Sequence, residues 1–334
     1  MGQRLTLISI HLSDSTHRDA TMTATIGTGP VVREGSAAAG GGTSSRPRRA
    51  RPLIAYGYWW WALPAIVMVL LIHYIATAGG AFYAFTNWTG IGSFDFVGLD
   101  NFKRIFEDPA LIGSLKNTLF LAFGFLILTN VLGLLLALAL NRSLKTRYLL
   151  RVLLFMPVVL SPLAVSYIWK FIFDFKGPLN SVVGWFGVEP KVWLADPTLS
   201  LWAVLVVMAW QTTGMCMVIY LAGLATVSQD IEEAAALDGA GTWRRFRNIT
   251  VPSIKPSIAI ASTLMLVQGL RVFDQVMALT GGGPAGATET LATQVYKQTF
   301  ALSNFGFGAA LALILTLVIL VFSVLQQAAT KDRS

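Results

Sequence analysis

Cysteine and charge are scarce in this 334-residue sequence. Cys216 is the single cysteine and lies in an apolar run, which excludes a disulfide framework and a cysteine-based metal site. Charged residues make up 13%, about half the share of an average soluble protein, which argues against a water-soluble enzyme. The net charge of +8 needs no nucleic-acid partner, because membrane proteins keep excess Lys and Arg on their cytoplasmic side.

Catalytic and metal-binding motifs are also missing. No Gly-x-x-x-x-Gly-Lys-Ser/Thr sequence occurs, so we expect no ATPase site and no enzyme activity in this chain. Of the three histidines, only His73 lies in a long apolar run. Packing or a hydrogen bond to a neighbouring helix is the favoured interpretation of His73, and a proton relay in a secondary transporter is the alternative. We therefore predict no catalytic residue and no metal site.

The first 55 residues differ from the rest of the chain. They are rich in Thr, Ser, Gly and Ala and end in a basic run that includes Arg46 and Arg51. This composition predicts a disordered cytoplasmic tail over residues 1–55. The tail lacks the apolar core of a secretory signal, and Met22 is an alternative to Met1 as the start.

Six apolar stretches of about 20 to 25 residues follow the tail. At 1.5 Å per residue, each is long enough to cross the roughly 30 Å hydrocarbon core of a bilayer. Four of the six contain no Asp, Glu, Lys or Arg. We therefore predict an all-α membrane protein with six transmembrane helices, at 58–82, 118–140, 149–171, 199–221, 257–279 and 306–325.

Lys and Arg residues are distributed unevenly between the two sides of these spans. Fourteen lie in or directly beside the end of the tail, the loop after the second span, the loop after the fourth span and the C-terminus, against six in the opposite loops. Because loops rich in Lys and Arg stay in the cytoplasm, both termini are predicted to be cytoplasmic.

The loop between the fourth and fifth spans, here called the 222–256 loop, has its own pattern. Asp230 and Glu233 are placed for the start of a helix, which Gly239 would end. A second short, basic helix follows and is predicted to stop at Pro252. The sequence thus predicts two short helices joined by a bend on the cytoplasmic surface. An amphipathic loop resting on lipid headgroups is the alternative.

Six positions of this loop have a distinctive spacing: Glu233, Ala234 and Ala235, then Gly239 after three residues, Ile249 after nine more, and Pro252. The pattern resembles the EAA motif of bacterial ABC importer permeases, with Val251 where that family usually has Leu. Further segments resemble carbohydrate-uptake permeases related to the maltose system. They are 96–102, 177–180, 280–284 and 288–291, and the resemblance covers the chain from about Tyr56 to its end.

The resemblance implies a type I ABC importer permease architecture over residues 56–334, in a bacterial inner membrane. It implies a second homologous permease as heterodimer partner, two ATP-binding cassette subunits, and an extracellular solute-binding protein that delivers a sugar. ATP would be used by the partner subunits, with no cofactor bound by this chain. In the family the 222–256 loop forms a coupling helix that fits a groove on the ATPase. The residues carried over to that contact are Glu233, Ala234, Ala235, Gly239, Ile249 and Pro252.

Polar residues inside the spans are candidates for the substrate pathway, because amides and indoles suit sugar hydroxyls and sugar faces. They are Asn130, Trp210, Gln211, Gln268, Arg271 and Asp274, the last three forming an i, i+3, i+6 stripe of the fifth span. Arg271 and Asp274 are placed to form an ion pair. Hydrogen bonding between helices is the alternative role for these side chains.

Alternating access of two paired permeases is the predicted mechanism, with the outer segments around Asn101, Asn180 and Pro284 as docking surfaces for the binding protein. Permeases of the same class for glycerol phosphate or another small solute are one alternative, although an anionic substrate would favour more intramembrane cations than Arg271 and Lys170. A secondary transporter is another alternative, and it would work without an ATPase.

Overall fold

A computed structural model describes residues 59–142 and 144–330, which are almost entirely helical. An isolated antiparallel bridge joins Thr86 and Phe96. The predicted tail, residues 1–55, lies outside the described residues. We number the helices of this part of the chain in order. They are α1 (Trp60–Tyr83), α2 (Asp100–Glu107), α3 (Pro109–Leu140), α4 (Arg147–Val159), α5 (Pro162–Ile172), α6 (Pro178–Gly184), α7 (Ser200–Leu224), α8 (Gln229–Leu237), α9 (Thr242–Ser253), α10 (Lys255–Leu270), α11 (Asp274–Leu279), α12 (Leu291–Tyr296) and α13 (Phe305–Thr330).

Four of these helices, α1, α3, α7 and α13, are long and apolar enough to cross a membrane. They cover the first, second, fourth and sixth predicted spans. Two pairs of helices are long and apolar enough to cross a membrane only when each pair is taken together, and both pairs are bent: α4 with α5 by 100°, and α9 with α10 by 68°. In the described part of the chain the count is therefore four spans, or six if each bent pair is one span.

The third span is not the continuous helix that was predicted for 149–171. Helix α4 ends at Val159, and both Leu160 and Ser161 are extended, with ψ of 144°. The cause is Pro162, which pushes the residue before it out of the helical region and cannot donate a backbone hydrogen bond. Ser161 then caps α5 by accepting from the backbone N–H of Ala164.

The fifth span also differs from the predicted helix at 257–279. Helix α10 stops at Leu270, and α11 begins at Asp274. Between them the carbonyl of Val272 accepts a 3.1 Å hydrogen bond from the hydroxyl of Thr290 instead of a helical N–H. With 16 residues, α10 is only about 24 Å long at 1.5 Å per residue, so it alone does not cross the hydrocarbon core.

The core lies where α3, α7 and α10 pack together. It is filled by fully buried side chains such as Phe125, Met217 and Met265. Helices α3 and α7 approach closely at Gly133, where an added Cβ would lie 2.5 Å from the Cβ of Cys216. A second cluster, which includes Leu291, joins the end of α1 to α2, α12 and α13.

Candidate functional site

The 222–256 loop folds as two helical segments joined at Gly239. The first, α8, begins at Gln229, one residue before Asp230, and ends in a hydrogen-bond pattern that requires a left-handed residue. Gly239 has φ of +78° and donates to Ala236, while Ala240 donates to Ala235 at 2.9 Å. The bend therefore depends on the conformational freedom of glycine at this position.

Helix α8 has two different faces. Its outward face carries Glu233 and Ala234, both exposed, together with Leu237, which is 89% exposed. On the other face, Glu232 accepts a 3.2 Å hydrogen bond from the hydroxyl of Thr250, which lies on α9. Asp230, also exposed, lies one turn before Glu233, so the outward face is a small surface of Ala234 and Leu237 with two carboxylates. The inner face is tied to the second segment of the loop.

The second segment is longer than predicted, because Pro252 does not end it. Helix α9 passes through a π-helical turn at Phe246–Thr250 and continues to Ser253. A widened turn moves away the i−4 carbonyl that a proline ring would otherwise meet, which explains how the helix tolerates Pro252. The chain bends two residues later, at the fully buried Ile254. Ile249 lies on the π-helical turn and is half-buried.

Within the membrane, Gln211 connects the two broken spans. Its amide donates a 2.9 Å hydrogen bond to the carbonyl of Leu160, at the break between α4 and α5. Its oxygen accepts from the amide of Gln275 on α11 at 3.2 Å. Both glutamines are buried, so in the structure Gln211 makes helix-to-helix bonds.

Asn130 connects three spans in the same way. Its side-chain oxygen accepts a 2.5 Å hydrogen bond from the phenol of Tyr220 on α7 and a longer one from Ser262 on α10. Its amide donates to the carbonyl of Leu126 on its own helix. Tyr220 was not singled out from the sequence, because an apolar span with one tyrosine gives no signal of a partner 90 residues away.

A cavity of about 420 Å³ brings Gln268, Arg271 and Asp274 together at the break in the fifth span. They do not form a helical stripe, because α10 ends before Arg271. Arg271 and Asp274 do not form the predicted ion pair in the described structure, because their charged nitrogen and oxygen atoms are more than 4.0 Å apart. Both charges are therefore available to a bound molecule. The wall also contains Gln275 and Phe273, which sequence reasoning missed although both lie in the predicted fifth span.

Trp210 lies apart from this cavity. It is 43% exposed, contacts the ring of Trp169 edge-on at 5.5 Å between centroids, and lines a separate apolar groove of about 570 Å³. The structure therefore does not bring Trp210 to the same cavity as Gln268 and Arg271.

The loop after the third span is organised by Asn180. Its buried side chain donates to the carbonyl of Lys191 at 2.8 Å and accepts from the indole of Trp193 at 2.9 Å. In the same loop, hydrogen bonds from Thr198 hold the pKa of Asp196 below its ordinary value. Because the side chain of Asn180 is used inside the loop, it is not itself a surface for a partner.

Asn101 and Asn117 order the segments after the first span and around the glycine-rich turn. Asn101 is buried and donates to the carbonyls of Ala84 and Thr86, each at 2.9 Å. Asn117 donates to the carbonyl of Glu289, next to the glycine-rich turn at 281–286. Glu289 in turn forms an ion pair with Lys297. These contacts hold the loops at this end of the spans in fixed positions.

Comparison with known proteins decides the family. Residues 129–333 match the family described as the binding-protein-dependent transport system inner membrane component. The chain belongs to this family. It is therefore a multi-pass permease subunit of the inner membrane rather than an enzyme, and the predicted resemblance to carbohydrate-uptake permeases is confirmed.

Individual relatives are similar over most of this permease. The multiple sugar-binding transport system permease protein MsmF of Streptococcus mutans is 37% identical over 273 residues, which are 81% of this chain and 93% of the relative. The trehalose/maltose transport system permease protein MalF of Thermococcus litoralis is 32% identical over 262 residues, 78% and 88% of the two chains.

The fold of this permease is also found in a solved structure. A chain of a bacterial ABC transporter involved in the import of the acidic polysaccharide alginate superposes with a TM-score of 0.72 at 24% identity, over 81% of this chain and 93% of that chain. The predicted type I ABC importer permease fold is confirmed.

Proposed function

We propose that the permease is one of two membrane subunits of an ATP-driven importer that moves a sugar or oligosaccharide into the cell. The observation that carries the proposal is the 222–256 loop, where the family motif forms a bent, exposed surface on the side of the spans richest in Lys and Arg. Relatives named for sugar transport at 32–37% identity support the substrate class.

The proposed partners are a second homologous permease, two ATP-binding cassette subunits and an extracellular solute-binding protein. The outward face of α8 would contact the ATPase through Glu233 and Ala234, with the half-buried Ala235 beside them. Small side chains allow a close approach, and a carboxylate can pair with a basic group on the partner. Hydrolysis would take place on the ATPase subunits, and both termini of this chain would lie in the cytoplasm.

Alternating access is the proposed mechanism, since two permeases that rock against each other expose a site between them to one side at a time. The cavity at Gln268, Arg271 and Asp274 is the proposed place where this chain meets the substrate. An uncharged sugar suits it, because one cation and one anion there cancel while the amide of Gln268 can bond to hydroxyls. The related alginate transporter forms a complex with an alginate-bound periplasmic protein. This complex supports delivery of the substrate to the permease from outside the cell.

Deletion of the chain's gene in its host tests the proposal. Uptake of labelled maltose, trehalose, lactose and glycerol 3-phosphate is compared with and without ATP depletion, and the wild-type chain is restored as the control. We expect ATP-dependent uptake of at least one sugar to be lost and then restored. Loss of glycerol 3-phosphate uptake alone would contradict the sugar assignment. Uptake that persists after ATP depletion and follows the proton gradient would contradict the importer itself.

A further inference from the structure

A cleft of about 870 Å³ lies between the inner face of the 222–256 loop and the ends of α3 and α7, and we call it the loop cleft. Its walls include Leu135, Leu138, Arg142, Trp243 and Arg245. It is separate from the outward face of α8 that the proposed ATPase contact uses. Nothing in the proposed function assigns a role to it.

One end of the loop cleft is apolar. Leu135 and Leu138 lie on the last two turns of α3, and Leu135 is 58% exposed. At 1.5 Å per residue, Leu135 is about 8 Å from the end of the helix at Leu140. Because α3 spans the membrane, this end of the cleft lies at the depth of the inner-leaflet acyl chains.

The other end is cationic and aromatic. Arg142 follows the end of α3, and Arg245 comes from α9. The Nε of Arg245 is buried and donates to no acceptor among the described residues, although a buried donor ordinarily has a partner. Trp243 is 71% exposed and lies against Phe246 at 5.6 Å between ring centroids. Tryptophan is enriched at membrane interfaces, which fits this position.

The acidic group in the cleft wall is Glu232, which already accepts from Thr250. Two arginines against one carboxylate leave the cleft with a net positive charge at its cytoplasmic end. We propose that the loop cleft binds the headgroup of an anionic phospholipid. The phosphate would accept from Arg142 and Arg245, and an acyl chain would lie along Leu135 and Leu138. The leucine-lined end favours a lipid over free phosphate, and the net charge favours an anionic over a zwitterionic headgroup.

A lipid here would also support the 222–256 loop. In the structure α8 is held to the second segment by the bend and by the bond between Glu232 and Thr250, while the cleft separates it from α3. A bound headgroup would connect α9 to the end of α3 through two arginines. Anionic phospholipid is therefore expected to stiffen the proposed connection to the ATPase.

Native mass spectrometry of the purified full-length chain tests this binding without any transport assay. Phosphatidylglycerol and phosphatidylcholine are titrated into the delipidated protein, with inorganic phosphate as a separate arm. Arg142→Gln/Arg245→Gln is compared with Arg244→Gln/Arg247→Gln, which removes two exposed arginines of the same loop outside the cleft. We expect the cleft pair to weaken phosphatidylglycerol binding by about 25-fold, roughly fivefold for each arginine, and the control pair to change it less than twofold.

Equal weakening by both pairs would overturn the proposal, as would equal affinity for phosphatidylcholine or competition by inorganic phosphate alone. Glu232→Gln gives a second test, because this variant should strengthen lipid binding rather than weaken it. A folding defect would not increase the affinity. Glutamine keeps the oxygen that accepts from Thr250 and removes the negative charge, so phosphatidylglycerol should bind about fivefold more tightly. Unchanged or weaker binding by this variant would contradict the assignment.

Discussion

Gln275 donates a 3.2 Å hydrogen bond to the side-chain oxygen of Gln211 in the middle of the membrane-spanning region. Gln211 also donates to the carbonyl of Leu160, where the third span breaks. A single residue on the unbroken helix α7 thus holds one group from each broken span. Through Gln275, it also fixes one wall of the cavity that contains Gln268 and Arg271.

Replacing Gln211 with leucine should destabilise the protein. The change leaves the carbonyl of Leu160 and the amide of Gln275 without these partners, and interhelical hydrogen bonds in membrane proteins are worth about 0.6 kcal/mol on average and up to about 1.7. We expect Gln211→Leu to cost about 1–3 kcal/mol and to lower the Tm of the detergent-solubilised protein by several degrees.

Gln268→Leu is the matched control for this change. Gln268 is exposed to the cavity and makes no side-chain hydrogen bond within the described structure. Its replacement should leave the Tm unchanged and reduce uptake of the transported sugar. An equal loss of Tm in both variants would show that the bonds of Gln211 have no special part in stability.

Gly239 and Gly241 make a second matched pair, because an added Cβ meets nothing within 4 Å at either position. They differ in backbone: Gly239 has φ of +78°, whereas Gly241 has φ of −64° and ψ of 163°, which valine adopts easily. Gly239→Val should cost about 1–2 kcal/mol of local strain, equal to a roughly fivefold to thirtyfold loss of the native bend.

The measurement for this pair is ATP-driven uptake beside ATP hydrolysis by the assembled complex. Gly239→Val should reduce uptake and leave hydrolysis in place, because the proposed ATPase site is on other subunits. Gly241→Val should resemble the wild type in both. If both variants transport at the wild-type rate, the bend at Gly239 does not transmit force.

Length and apolarity were enough to find where the spans lie. The ranges 118–140 and 306–325 fall inside single helices, because long runs without charge have few alternatives in a bilayer. The 222–256 loop was also predicted in outline, since Gly239 requires a left-handed backbone that few residues adopt. Local sequence features were therefore enough to predict both the positions of these spans and the bend at Gly239.

Breaks in the third and fifth spans were missed for two reasons. Pro162 was visible in the sequence, but prolines are tolerated in many transmembrane helices, and the carbonyl of Leu160 that the break frees finds its partner only in Gln211, 51 residues away. The end of α10 has no local signal, because its cause is Thr290, 18 residues beyond Val272. In both cases a carbonyl at the break is satisfied by a partner distant in sequence, which sequence patterns do not reveal.

Cysteine labelling tests the proposed orientation. Leu237 on the 222–256 loop is 89% exposed, and Phe186 in the loop after the third span is 80% exposed, while the native Cys216 is fully buried. A membrane-impermeant maleimide should modify Phe186→Cys in intact cells and Leu237→Cys only in inside-out vesicles stripped of peripheral subunits. Labelling of Leu237→Cys in intact cells would place the loop outside and contradict the coupling role.

Gly214 marks the close contact of α7 with α4. A Cβ at this position would clash with the carbonyl oxygen of Leu154 and would lie 2.9 Å from the Cα of Phe155, and backbone atoms cannot rotate away as a side chain can. Gly214→Ala must therefore push the two helices apart, and we expect a loss of about 1–3 kcal/mol, measured as a lower Tm.

Gly113→Ala separates this packing effect from the general effect of alanine in a helix. Gly113 lies within α3, and an added Cβ there meets nothing within 4 Å. Alanine is favoured over glycine in helix interiors by up to about 1 kcal/mol, so this variant should be neutral or slightly more stable. A Tm for Gly214→Ala equal to that of Gly113→Ala would mean that α4 moves freely against α7. The contact between them would then not be the rigid support that the bonds of Gln211 require.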